Sequence, residues 1–179
     1  TDSARVIACA IIGRSNMKIL GIIGGMSPES TATYYTEINR LVNQKKGGNI
    51  SAPIVMVSVE FEEIVQCQKQ SEWQRAGEIL AEAGKKLEMI GAEGIVLATN
   101  TMHKVAPQIE RALSIPFLHI LDATADAIKS RGLNKVALLG TKFTMSDNFY
   151  RDGLTVRGIT PIVPNEDTQN EIHRIIFDE

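Results

Sequence analysis

The sequence predicts an α/β protein whose open parallel sheets are covered by helices. Short apolar runs without a period of two alternate along the chain with amphipathic stretches of helical spacing, as doubly buried strands and their crossover helices do. The connections between them are short and carry glycine or helix-capping residues. Of the 179 residues, 44% are apolar and 22% charged, close to the average of globular domains and far from disordered, collagen-like or coiled-coil compositions.

The chain opens on Thr1 and the regular alternation begins only at Met17, so residues 1–16 read as a tag or an upstream extension. The apolar run at 6–12 within them has two other readings, an added edge strand and the short apolar segment of a signal peptide behind Arg5. It lacks a clean cleavage site and falls far below the roughly 20 residues that span a bilayer.

Residues 18–23 form the first strand, ended by Gly24 and Gly25. Ser27 suits an N-cap and Pro28 the first helical position, opening a helix to about Lys46 that Gly47 and Gly48 stop. Residues 53–59 make a second strand and 60–69 a short helix. Ser71 stands where it would cap the next helix, to about Ile90, in which Ala76, Ile79, Leu80, Ala83, Leu87 and Ile90 recur at spacings of three and four. A third strand, 94–98, leads through Thr99, Asn100 and Thr101 into a helix ending near Arg111. The rest reads as strand 115–118, helix 122–131, strand 135–140, a helix from near Thr144, strand 159–163 and helix 167–179. These elements predict two α/β domains, 17–115 and 116–179. A milder boundary falls at 131–134, where a second strand–helix set begins.

Nineteen Lys and Arg against 21 Asp and Glu leave a formal charge of -2, and the pI is near 6.0. Neither a nucleic-acid-binding surface nor an acidic tail is indicated. The two cysteines, Cys9 and Cys67, form neither a disulfide framework nor a zinc spacing. A cytoplasmic, membrane-free domain is the expectation.

In open parallel sheets, ligands bind beyond the carboxyl ends of the strands. Three such ends are polar or glycine-rich: Gly24-Gly25-Met26-Ser27, Thr99-Asn100-Thr101 and Gly140-Thr141. Each precedes a helix N-terminus, where backbone N–H groups and the dipole favour an anion, so a small carboxylate or phosphate ligand is expected. The competing reading is that Ser27, Thr101 and Thr144 only cap helices. Gly21 to Gly25 lacks the dinucleotide spacing, and no Gly-Lys-Ser/Thr follows it, which excludes the usual nucleotide loops. His103, His119 and His173 lie on different elements without metal-ligand spacing. His103 stands beside Thr101, where it either lines the cleft or makes a structural hydrogen bond, and His119 reads as a core histidine. Glu60, Glu62 and Glu63 offer a general base at a strand end, or merely an acidic first helical turn. Cys67 reads as a packing residue.

Taken together, residues 24–31 (Gly-Gly-Met-Ser-Pro-Glu-Ser-Thr), residues 98–103 (Ala-Thr-Asn-Thr-Met-His) and Leu139-Gly140-Thr141 resemble the aspartate/glutamate racemases, over nearly the whole chain from Met17. The resemblance implies two α/β domains with the ligand cleft between them, the second of them, 116–179, incomplete here, and racemisation without pyridoxal phosphate or metal by two opposed acid/base groups, both usually Cys. It implies Thr99 as one of these groups and Met26, Gln68, Asn100, Thr101 and Thr141 as the residues that hold a small acidic amino acid. It also implies a homodimer. Two positions depart from the pattern. Thr99 stands where the first cysteine is usual, as in a Thr-bearing subgroup, and a hydroxyl is a far weaker acid than a thiol of pKa about 8.5. The second cysteine belongs to a Gly-Cys-Thr-Glu motif that the sequence does not contain, and the family chain is longer, so a shortened form is expected. Two other functions remain open: a non-catalytic amino-acid or carboxylate-binding protein, and a related one-thiol isomerase or decarboxylase.

Overall fold

A computed structural model describes residues 16–178. The edge-strand reading at 6–12, and Cys9 with it, lies outside the described residues. The chain divides into two compact units between Ile120 and Leu121, each an α/β arrangement with a parallel sheet.

The first unit holds a three-stranded sheet in the order β2-β1-β3. β1 (Leu20–Gly24) is central and parallel to β2 (Ile54–Ser58) and β3 (Gly94–Leu97), with Ile22 opposite both Met56 and Val96. Every residue of β1 is buried, which explains its apolar run without alternation. Its successive side chains serve two cores. Leu20 and Ile22 cluster with Ile38 and Val42 of α1 (Pro28–Lys46), whereas Ile23 joins Leu80 and Leu87 of α3 (Trp73–Met89). The pleat sends neighbouring residues to opposite faces, so one strand carries both helix layers.

Between β2 and α3 lies α2 (Phe61–Lys69). Ser71 does not cap α3, contrary to the sequence expectation. Its φ is 59°, its N–H donates to Gln68 O at 3.2 Å, and the Glu72 N–H reaches back to Cys67 O at 2.8 Å. This is a Schellman closure of α2 with Ser71 as its left-handed residue. α3 then starts behind Glu72 with no side-chain cap. Gly91, at φ 96°, ends α3 with the same pair of bonds, to Glu88 O and Leu87 O at 3.0 Å each. Ser71 therefore occupies a place that glycine usually marks, and its residue type by itself signals a helix start and not a stop.

After β3 a 3₁₀ turn, Thr101–Val105, precedes α4 (Ala106–Ala112), where a single helix was expected. The expected strand at 115–118 is reduced to one parallel bridge, Ile95 to Phe117. Its flanking bonds are Ile95 N–H to Pro116 O at 2.9 Å and Leu118 N–H to Ile95 O at 2.8 Å. Pro116 has no N–H to extend the ladder.

The second unit contains β4 (Lys135–Ala137) parallel to β5 (Thr160–Ile162). β4 is shorter than the expected 135–140. Leu138 N–H still reaches Ile162 O at 2.8 Å, but Leu139 is 59% exposed and the chain leaves the sheet there. α5 (Ile120–Ser130) begins two residues before the expected Asp122. The helix expected from Thr144 is two helices, α6 (Lys142–Ser146) and α7 (Asn148–Val156), separated by Asp147, whose carboxylate caps α7 at Phe149 N–H. α8 (Glu166–Asp178) follows β5. Leu121, Ala125, Met145, Leu154 and Ile159 are buried. Among the described residues, no helix is long and apolar enough to cross a membrane.

Candidate functional site

The parallel order β2-β1-β3 puts the carboxyl ends of three strands side by side. The backbone ladder continues just past them, with Val59 N–H to Gly24 O at 3.0 Å and Ala98 N–H to Ile23 O at 2.9 Å. The turns that follow β1 and β3 carry Met26 and Thr99-Asn100-Thr101.

The turn after β1 is held by one hydroxyl. Thr31, on the first turns of α1, accepts from Gly25 N–H at 2.9 Å and donates to Ser27 O at 3.1 Å. Gly25 has φ 100°, and a Cβ there would run into the Val59 carbonyl oxygen. Ser27 caps α1, its Oγ accepting from Ser30 N–H at 3.3 Å. The turn is thus partly committed to its own bonds: the Gly25 N–H is engaged by Thr31, and the capping reading holds for Ser27. Met26 is 4% exposed and shares a cluster with Ile64, Cys67 and Met102.

Thr99 and Thr101 are half-buried and Asn100 is exposed. Thr101 caps no helix; it opens the 3₁₀ turn, at whose start Asn100 makes no side-chain capping bond. The next residue, Met102, is fully buried, and Gln68 of α2 donates its side-chain N–H to the Met102 sulfur at 3.0 Å. That contact brings Gln68 beside the β3 turn. Residue-level reading did not select Gln68, since a glutamine in an amphipathic helix carries no signal of its own; only the family resemblance pointed to it.

His103 is 1% exposed. Its Nδ1 lies 2.7 Å from Thr99 O, and its Nε2 accepts from Ile120 N–H at 3.3 Å. A carbonyl only accepts, so the proton sits on Nδ1 and Nε2 is bare. Burial, and secondarily the neighbouring His119, push its pKa down to about 3 against the support of its backbone bonds, so the ring is neutral at ordinary pH. The His119 ring is 4.9 Å away and that of Phe117 5.9 Å. His119 is half-buried, not the fully enclosed core residue expected.

The other candidates have structural employment. Both Glu60 carboxylate oxygens cap α2, accepting from Glu62 N–H at 3.0 Å and Glu63 N–H at 2.6 Å. Glu63 pairs with Arg75 at 3.1 Å. These bonds support the helix-start reading of the acidic group over the general-base one. Cys67 is 1% exposed in the core cluster, a packing residue as read. Among the described residues, no three His, Cys, Asp or Glu side chains gather as a metal site.

Thr141 belongs to the second unit. It caps α6, its Oγ1 accepting from Thr144 N–H at 3.3 Å, with the two hydroxyls 3.2 Å apart. Thr144 itself is not the cap. His173 of α8 accepts from Lys142 N–H at 3.2 Å, and Lys142 Nζ reaches Asn170 at 2.8 Å.

Residues 23–179 match the family described as Asp/Glu/Hydantoin racemase. The chain is 25% identical over 160 residues to the broad specificity amino-acid racemase RacX of Bacillus subtilis (strain 168), covering 88% of this chain and 69% of that one. Among solved structures, it is similar to a Yersinia pestis protein assigned to the Asp/Glu racemases, with TM-score 0.88 and 51% identity over 91% of this chain and 71% of that one. It is also similar to an aspartate racemase homologue from Pyrococcus horikoshii OT3, with TM-score 0.82 and 40% identity over the same shares.

Proposed function

Because the chain belongs to the Asp/Glu/Hydantoin racemase family, we propose that it racemises small acidic amino acids without a cofactor, by taking the α-proton at one face of Cα and returning one at the other. Thr99 is one of the two acid/base groups. Met26, Gln68, Asn100, Thr101 and Thr141 hold the substrate, and the working form is a cytoplasmic homodimer. The observation that carries this reading is the position of Thr99: it is the second residue beyond β3 of a parallel sheet, directly after buried Ala98, half-buried, and followed by Asn100 and Thr101. A group there meets the physical demands of the reaction. An amino-acid α-proton is weakly acidic, so a base must sit on it while polar groups stabilise the charge that develops on the carboxylate. Cys67 has no part in this, being enclosed in the core.

The test is incubation of L- and D-aspartate and glutamate in deuterated water, with α-deuterium read by mass spectrometry and enantiomers by chiral chromatography. Exchange that disappears in Thr99→Val and persists or rises in Thr99→Cys supports the reading, since the thiol is the stronger acid. A second reading, an amino-acid-binding protein without turnover, is favoured by the hydroxyl at position 99; it predicts saturable binding of aspartate with no exchange. The breadth of the Bacillus subtilis relative makes neutral amino acids the next substrates to screen.

A further inference from the structure

The geometry points to His103 as a positioning residue that acts through Thr99, holding the end of β3 with one ring nitrogen and the start of α5 with the other. The inference rests on the racemase reading of Thr99 and adds to it the group that fixes Thr99 in place.

The last ladder bond of the β1–β3 pair is Ala98 N–H to Ile23 O, at 2.9 Å. Thr99 is the next residue, and its carbonyl is held by His103 Nδ1–H at 2.7 Å. The ring is itself fixed. Nε2 accepts from Ile120 N–H at 3.3 Å, the ring is 1% exposed, and His119 and Phe117 pack beside it at 4.9 and 5.9 Å between centroids. The backbone of Asn100 also bonds the ring, and only the neutral Nδ1–H form both donates to Thr99 O and accepts from Ile120 N–H. Losing the bond to Thr99 frees the 99–100 peptide to rotate and carries the Thr99 side chain with it. A reacting group displaced by about 1 Å loses on the order of a hundredfold in rate.

Two substitutions separate this role from plain core packing. In His103→Asn the side-chain amide nitrogen stands near the place of Nδ1, so the donor to Thr99 O survives and the acceptor for Ile120 is lost. In His103→Gln the amide reaches the place of Nε2, so Ile120 keeps its acceptor and Thr99 loses its donor. Each variant gives up one hydrogen bond and part of the ring packing, and their unfolding midpoints should fall together. The turnover number for deuterium exchange should not. His103→Asn is expected within about threefold of the parent, and His103→Gln at least about tenfold below it, with KM moved far less. Equal losses in the two variants, following their losses in stability, would reduce His103 to a core residue and overturn the inference while leaving the racemase reading intact. A parent protein that exchanges no α-proton would overturn both. Independently of turnover, ¹⁵N spectra of the His103 ring should show a protonated Nδ1 and a bare Nε2; the opposite tautomer would also overturn it.

Discussion

Acid should unfold the first unit partly through His103. The folded ring has its pKa pushed down to about 3 from an ordinary 6.5, chiefly by burial and secondarily by His119. In the unfolded chain it returns to that ordinary value. Below pH 6.5 the unfolded state therefore takes up a proton that the folded state refuses, and stability falls as pH drops. The contribution is fully present above the unfolded pKa and is lost progressively towards pH 3. Between pH 7 and 4.5 the unfolded imidazole is protonated over roughly two pH units while the folded one is not, which at about 1.4 kcal/mol per unit costs about 2–3 kcal/mol. That is a large share of the roughly 5–15 kcal/mol that holds a domain folded. The single tryptophan, Trp73, lies in the first unit, so urea titrations followed by its fluorescence report on the right body. The informative quantity is the difference between the parent and His103→Asn, which cannot titrate. Glu37 and Glu171, held below the usual carboxylate range mainly by hydrogen bonds from Arg40 and Arg174, are present in both proteins and cancel. The parent should lose about 2–3 kcal/mol more than the variant over this interval. Parallel stability curves would refute the reasoning, because they would mean that the folded ring accepts a proton as readily as the unfolded one.

The turn after β1 gives two further predictions. Gly25→Ala places a Cβ against Val59 O at φ 100°, and should cost about 2–4 kcal/mol in the urea midpoint analysis; a neutral result would show that the turn relaxes freely. Thr31→Val keeps the shape but strips Gly25 N–H of its acceptor, and should cost about 1–3 kcal/mol, with a loss below about 0.5 kcal/mol showing that another group holds the turn.

Much of the architecture was legible because it rests on local rules. β1 is buried along its whole length, so its apolar run had no alternation to confuse it with an exposed strand. Ser27 and Pro28 announced α1, and Gly91 closed α3, because capping and left-handed geometry depend on residue type within a few positions. The turn at 99–101 stood out for a similar reason: three polar residues follow a buried strand, a pattern readable from residue type alone. The same local rules failed where one residue served two neighbours. Ser71 has the chemistry of a helix start but was recruited to end α2, since the chain must reverse there and no glycine was available. The 115–118 segment has strand composition, yet Pro116 limits it to a single bridge.

Residue types and their spacing determined the α/β class, the polar and glycine-rich strand ends and, by resemblance, the racemase family. Tertiary structure alone decided that β1 stands between β2 and β3, that Gln68 meets Met102 across 34 positions, and that His103 joins Thr99 to Ile120. The physical reason is that a hydrogen bond's partner and a group's burial are properties of space. Spacing along the chain constrains them only within a few turns of helix or the length of a strand, while the contacts that hold Thr99 come from segments whose meeting depends on how the whole sheet is ordered.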